Sequence, residues 1–419
     1  EGYGRYAIGG RGYEGNEGKV YHVTSLDDDA TNPQPGTFRY GIVNATEPTT
    51  IVFDVSGVIH LTDRLTNSNP YVTIAGQTAP GNGIMFHGAP LGVASDGITR
   101  YVRLRRGDID VDGNTITITV NGVEKTVPAD CGKGLDGMGM AGNNHSIMDH
   151  CSIGWTVDEA FSSRNAKNIT LQHTLISEAL NIAGHPNYDA GTGHGYAATV
   201  GGDKGSLHHN LLAHNAGRNW SMGGGLDGAG YYKDYLDMFN NVCYNWVDRT
   251  TDGGVHVGKF VNNYYKMGPA SKKMQLIMAH LEEVGEGTQQ YYVKGNIREN
   301  YKGSIISQSA TLSPKGESGD EAIYTMRNDK GSSYTADAFF DSEDWEHYFD
   351  SWATIETANA AFKNVLSDVG CNYAGLDNHD VRMVSETLNG TTSTTGSVGE
   401  KPGIIDKTTD SEGIKGLNI

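Results

Sequence analysis

The sequence predicts an all-β fold: a right-handed parallel β-helix with a C-terminal extension containing short helix and loops. Three observations carry this. Short bursts of Val, Ile, Thr and Tyr recur with no dominant helical periodicity between them. Several bursts end in a corner that carries Asn, at Asn210, Asn241 and Asn263, which lie 31 and 22 residues apart. Glycine is abundant, at 57 of 419 residues, against 11 prolines. Irregular periods of this size suit stacked coils of roughly 20 to 30 residues with loops of variable length. Asn at the same turn of successive coils can satisfy neighbouring backbone groups and tolerates the left-handed conformation. A sandwich with Asn-rich turns is the alternative, and the repeated order strand, Asn, Asn, aromatic favours the coils.

In chain order, strand-like bursts fall at 50–55, 71–75, 100–105, 146–150, 168–173, 206–210, 238–242 and 260–265. Residues 113–128 read as an inserted β-hairpin, because two alternating runs flank Asn121-Gly122, a strong two-residue turn signal. Residues 1–310 are assigned to the β-helix. From 311 the texture changes: a polar run at 313–320, then Asp341-Ser342-Glu343-Asp344-Trp345, then helix formers over 353–362 with a stop at Asp368-Val369-Gly370. The Gly/Ser/Thr-rich stretch 389–401 reads as a loose loop. Residues 311–419 are expected to pack on the β-helix and not to form an independent domain.

The formal net charge of −18, from 32 basic and 50 acidic residues, argues against nucleic acid or an anionic membrane as partner. Solubility accounts for most of it; any polyanionic substrate needs a locally positive cleft. The four cysteines match no zinc-binding spacing, and Cys151 and Cys243 read as buried free thiols. No apolar run reaches transmembrane length. The chain begins at Glu1 without an apolar leader. That fits a mature secreted, periplasmic or cell-surface protein, and a truncation boundary fits equally well. A monomer is expected.

Two segments carry the chemistry. Asp149, Asp158 and Glu159 place three carboxylates within eleven residues, and Arg218 follows His208-His209-Asn210. An Asp in such a fold is commonly a turn residue, and an Arg is commonly in a surface ion pair. Clustered carboxylates are costly without a cation, so the three together suggest a metal site facing a cationic group. That pairing suits an acidic substrate. Asp158 and Glu159 are adjacent, so both reach one ion only at a turn. Trp155 and Trp220 are candidate sugar platforms, although Trp is more often packed. His194, in Gly193-His194-Gly195-Tyr196, either contacts substrate or is a satisfied loop residue.

Several motifs in order resemble polysaccharide lyase family 1, the pectate lyases and pectate trisaccharide-lyases. They are Pro35-Gly36-Thr37-Phe38-Arg39-Tyr40, Val72-Thr73-Ile74-Ala75-Gly76-Gln77-Thr78-Ala79-Pro80-Gly81, Asp149-His150-Cys151-Ser152, Trp155-Thr156-Val157-Asp158-Glu159-Ala160, His208-His209-Asn210 and Val261-Asn262-Asn263-Tyr264-Tyr265. The resemblance implies a calcium-dependent β-elimination of polygalacturonate (pectin) to unsaturated oligogalacturonides. It implies Arg218 as catalytic base, eight residues after the Asn of the His-His-Asn strand, and Asp149, Asp158 and Glu159 as calcium ligands. Relatives continue Arg-Asn-Pro-Arg, whereas this chain continues Arg218-Asn219-Trp220-Ser221. Arg249 or Lys233 is then the candidate for the missing second substrate-binding cation. The alternatives are a polygalacturonase-type hydrolase, which needs two carboxylates and no metal, a non-catalytic carbohydrate-binding β-helix, and a pectin lyase, which would not need the acids.

Overall fold

The computed structural model describes residues 1–223, 225–273, 275–280, 289–307, 324–327, 333–334, 350 and 352–419. The expected polar run at 313–320 and the segment 341–345 lie outside them. The chain winds as a parallel β-helix with three sheets of ten strands each among the described residues. One full coil shows the plan. Lys167–Gln172 lies in the first sheet, Leu175–Ser177 in the second and Ala198–Val200 in the third. The next strand, Asp203–His208, returns to the first sheet beside Lys167–Gln172 in parallel register, Leu171 opposite Leu207.

From strand Ile98–Arg100 onward only two residues separate the first sheet from the second, and the first of them is left-handed in coil after coil: His150, His173, His209, Asn240 and Asn262 have φ between 46 and 54°. The second is Asn in four successive coils. Asn210 Nδ2 donates to Asn241 Oδ1 at 3.0 Å, Asn241 Nδ2 to Asn263 Oδ1 at 3.2 Å, and Asn263 Nδ2 to Asn296 Oδ1 at 3.1 Å. Each amide also accepts the backbone N–H of the Asn before it. This ladder leaves the corner's buried polar groups paired where no strand can pair them. Inside the three sheets, apolar side chains from every coil form one continuous core.

The hairpin forms as expected, with strands Thr115–Val120 and Val123–Pro128 joined at Asn121-Gly122, φ 51 and 78°. The C-terminal helix runs Ala358–Asp368, five residues later than the composition suggested, because Thr357 caps it by accepting the Ala360 N–H. Ala358, Val365 and Met383 pack on Leu175, Leu211, Val242 and Ile297 of the second sheet. Helix Asn378–Asn389 docks through buried charge: Arg105 meets Asp380 at 2.5 Å and Arg382 meets Glu178 at 2.9 Å. The 389–401 tail is tied down and not loose. Asp406 Oδ2 accepts the Val398 and Gly399 N–H groups, and its Oδ1 accepts that of Ile182. All four cysteines are free, and Cys151 and Cys243 are buried.

Candidate functional site

The turns that lead into the third sheet line up chemistry-bearing residues on successive coils. Met138 pairs with Phe161, and Phe161 with Ala198. Two residues before each stand Asp136, Glu159 and Tyr196. Ser221 pairs with Asp252, and just before these strands stand Arg218 and Arg249. The column Asp136, Glu159, Tyr196, Arg218, Arg249 therefore follows from coil register. Two glycines permit the close approach. A Cβ on Gly137 would lie 2.4 Å from the Ala160 carbonyl, and one on Gly217 would lie 2.9 Å from the Arg249 side chain.

Asp136, Asp158 and Glu159 bring carboxylate oxygens within 4.8 Å of one another. Asp158 is gripped by two imidazoles, His194 Nε2 at 2.9 Å and His185 Nε2 at 3.2 Å. Burial alone would raise its pKa; these two contacts outweigh that and hold the carboxyl well below its usual range. Asp136 moves the other way, raised by burial and by the charge of Asp158, although Arg64 lies at 2.9 Å. Glu159 receives Thr199 Oγ1 at 2.6 Å, Arg164 at 3.4 Å and the Arg218 guanidinium in direct contact.

Arg218 is left-handed, φ 50°, and its guanidinium lies 4.6 Å from the centre of the Tyr196 ring. Arg249 lies 5.0 Å from the same ring and is clamped bidentately by Asp252 at 2.6 and 2.9 Å. Burial and the neighbouring Arg249 lower the Arg218 pKa against the charges of Asp158 and Asp252; the direct contact with Glu159 also favours the charged form. Arg249 is raised: burial works against its charge, and Asp252 more than compensates. A groove of about 470 Å³ adjoins the cluster, lined by Asp136, Arg164, Arg64, Thr66, Ser68 and Asn143.

Asp158, Glu159, Arg218, His194 and Arg249 are thus brought together; the other expected site residues are not. Asp149 ends strand Ile147–Asp149 of the first sheet, whereas the cluster precedes the third. Its carboxylate is spent on Arg100 at 2.5 Å, His150 at 2.7 Å and Gln172 at 2.9 Å. Asp136, one coil before Asp158 and Glu159, stands where Asp149 was expected. Trp155 and Trp220 are fully buried and offer no face to a sugar. Trp155 Nε1 donates to Glu178 at 3.2 Å, and Trp220 belongs to the central core. Lys233 lines a separate pocket with Asp234 and Asp203. His185, Arg64, Arg164 and Tyr196 join the site without having been expected there.

The chain is 35% identical over 280 residues to a probable pectate lyase C of Neosartorya fischeri, covering 65% of this chain and 54% of that protein. It is 34% identical over 279 residues to one of Aspergillus terreus, with 65% and 54% covered. The chain spans about half the length of these curated relatives. No family model matches it. Among solved structures, the cedar pollen allergen Jun a 1 aligns over 88% of this chain and 92% of its own, with TM-score 0.56 and 19% identity. A thermostable pectate lyase aligns over 88% and 96%, with TM-score 0.52 and 11% identity. The structural likeness shows the parallel β-helix fold. The curated relatives are pectate lyases by name, in keeping with the resemblance read from the motifs.

Proposed function

We propose that the protein is a calcium-dependent pectate lyase that cleaves polygalacturonate by β-elimination, with the reaction centred on Arg218. One observation carries the reading: the part-buried guanidinium of Arg218, sharing the Tyr196 ring with Arg249, faces three mutually close carboxylates beside an open groove.

The carboxylates fit calcium. They are hard oxygen donors, and Asp136, raised first by burial and then by the charge of Asp158, would be relieved by a cation. Asp136, Asp158 and Glu159 would hold the ion, and His185 and His194 orient Asp158 as outer-shell partners do. A bound divalent ion would acidify the uronate C5 proton and offset the charge that develops on its carboxylate. The remaining roles belong to the chain. Arg64 and Arg164 border the groove and meet uronate carboxylates. Arg249, held in place by Asp252, supplies the second cation that the sequence lacks next to Arg218. Arg218 takes the C5 proton; arginine is an unusual base because its pKa normally exceeds about 12, so the reading needs both its burial and the charge of Arg249. It also needs Arg218 to leave Glu159, since a guanidinium engaged with a carboxylate stays protonated. The leaving glycosidic oxygen departs as the C4–C5 double bond forms.

A hydrolase fits less well. Two carboxylates would suffice for hydrolysis, which leaves the Arg218 and Arg249 pair on the Tyr196 ring without a role. The test is incubation with polygalacturonate at alkaline pH, following ultraviolet absorbance of unsaturated uronide alongside reducing ends. Growth of both supports the lyase. Reducing ends without absorbance would replace it with a hydrolase, and neither signal would leave a binding protein.

A further inference from the structure

Tyr196 stands beside both arginines of the site, and neither the carboxylate cluster nor the groove uses its ring. Two part-buried guanidiniums brought this close repel each other, so something has to hold them. The Arg218 guanidinium lies 4.6 Å from the ring centre and that of Arg249 lies 5.0 Å from it, a range at which the face of an aromatic ring attracts a cation. Coil register puts the ring there, because Tyr196 is bridged in parallel to Gly217 on the next coil. A Cβ on Gly217 would lie 3.1 Å from Tyr196 Cε1 and 2.9 Å from Arg249 Cβ; glycine leaves the room in which ring and Arg249 stem meet. The ring is fixed in turn by His194, whose own ring is 4.3 Å away and whose Nε2 is held by Asp158 at 2.9 Å. The two arginines differ in what else holds them. Asp252 clamps Arg249 through two hydrogen bonds, at 2.6 and 2.9 Å. Arg218 has no such clamp: its Nη1 meets Glu159, its Nε is buried without a hydrogen-bond partner, and its face lies over the ring. Glu159 is also one of the three carboxylates assigned to calcium, so the Arg218 ion pair is the contact that has to open.

We propose that Tyr196 is a positioning residue for the elimination: its ring keeps the Arg218 guanidinium beside Arg249 while the edge of that guanidinium exchanges Glu159 for the substrate. The inference rests on the lyase reading. Arginine hydrogen-bonds through the edge of its planar group and stacks through the face, so opening the Glu159 contact leaves the ring contact whole. Without the ring, an Arg218 released by Glu159 regains rotamer freedom, and misplacing a reacting group by about 1 Å can cost about a hundredfold in rate. Arg249 is held by Asp252 whether or not the ring is present, so Tyr196 acts through Arg218.

The test uses variants of the whole chain, assayed on polygalacturonate with calcium. Tyr196→Leu, which removes the aromatic face, should lower kcat roughly 10–100-fold and move KM by less than about threefold, because Arg64, Arg164 and Arg249 still meet the substrate. Tyr196→Phe keeps the ring and should restore kcat to within about threefold. In an Arg218→Lys background, Tyr196→Leu should cost less than about threefold, since residues that act through one another are not additive. A leucine variant with unchanged kcat, a phenylalanine variant as slow as the leucine one, or full additivity with Arg218→Lys would each overturn the proposal. Nuclear Overhauser contacts between the Arg218 Nε–H and the Tyr196 ring protons give a readout that needs no activity. They should be present in the unsubstituted protein and persist in Glu159→Gln, where the ion pair is gone; their loss in that variant would also overturn the proposal. An unsubstituted protein that shows these contacts and no elimination would overturn the lyase reading, and the proposal with it, whereas the other results strike the role of Tyr196 alone.

Discussion

Replacing Asp136 by Asn should have opposite effects on stability with and without calcium. The oxygens of Asp136, Asp158 and Glu159 lie within 4.8 Å of one another. At an effective dielectric of about 20, two unit charges 4.8 Å apart repel by about 3.5 kcal/mol, so Asp136 meets on the order of 7 kcal/mol from its two neighbours before compensation. Arg64, half-exposed at 2.9 Å, returns at most about 1 kcal/mol. The guanidiniums of Arg218 and Arg164 at Glu159 cancel much of the rest, leaving a net penalty on the order of 1–3 kcal/mol. At about 2.1 cal/mol/K per residue, 419 residues carry an unfolding entropy of about 0.9 kcal/mol/K, so each kcal/mol moves the midpoint by about 1 °C. In chelator, Asp136→Asn should therefore melt about 1–3 °C above the unsubstituted protein. With calcium at a hundredfold excess over its dissociation constant, the unsubstituted protein gains about 2.7 kcal/mol, or about 3 °C, and the variant gains far less. Scanning calorimetry in the two buffers reads both. A variant that melts lower in chelator and keeps its calcium increment would refute the reasoning.

Three further outcomes are expected. Arg218→Lys keeps the charge but loses the fork that spans Glu159 and stacks on Tyr196; its turnover of polygalacturonate should fall by about 10²–10⁴ with its melting temperature within about 2 °C, and a rate within threefold would remove Arg218 from the chemistry. Asn241→Ala strips the ladder at a fully buried position, orphaning the Asn210 N–H and the Leu207 carbonyl; at about 1–3 kcal/mol each, the unfolding midpoint should drop by about 2–6 °C, whereas exposed Asn114→Ala should not move it. Asp234 is raised to about 6 from 3.8 by burial, so its ionised form costs stability. That cost is absent below the unfolded pKa, grows as pH rises from about 4 to 6, and is full above; the side chain is only part-buried, which discounts it to about 1–2 kcal/mol. Asp234→Asn should be more stable than the unsubstituted protein at pH 7.5 and equal to it at pH 4, and the reverse order in denaturant melts at the two pH values would contradict this.

The coils were legible because Asn210, Asn241 and Asn263 occupy a corner whose geometry tolerates few residues. Asn296 extends the ladder but follows a glycine, not a second Asn or His, so the pattern hid it. Arg218 was legible from its offset after the same corner. Asp149 misled because an Asp before a His is also what the first-sheet corner uses, and linear proximity to Asp158 hides that the two precede different sheets. The available signal was coil register: Asp136-Gly137-Met138 repeats Glu159-Ala160-Phe161 one coil earlier, with the apolar residue of each inside the third sheet. The tryptophans failed for a different reason. Burial depends on which turn residues face the core, and alternation does not govern a corner.

The central claim is that elimination is centred on the turns before the third sheet. The most direct measurement compares the calcium dependence of unsaturated-product absorbance in Asp136→Asn and Asp149→Asn. The account predicts that Asp136→Asn loses the signal or needs far more calcium, while Asp149→Asn matches the unsubstituted protein. Calcium-dependent activity that survives in Asp136→Asn and disappears in Asp149→Asn would contradict it.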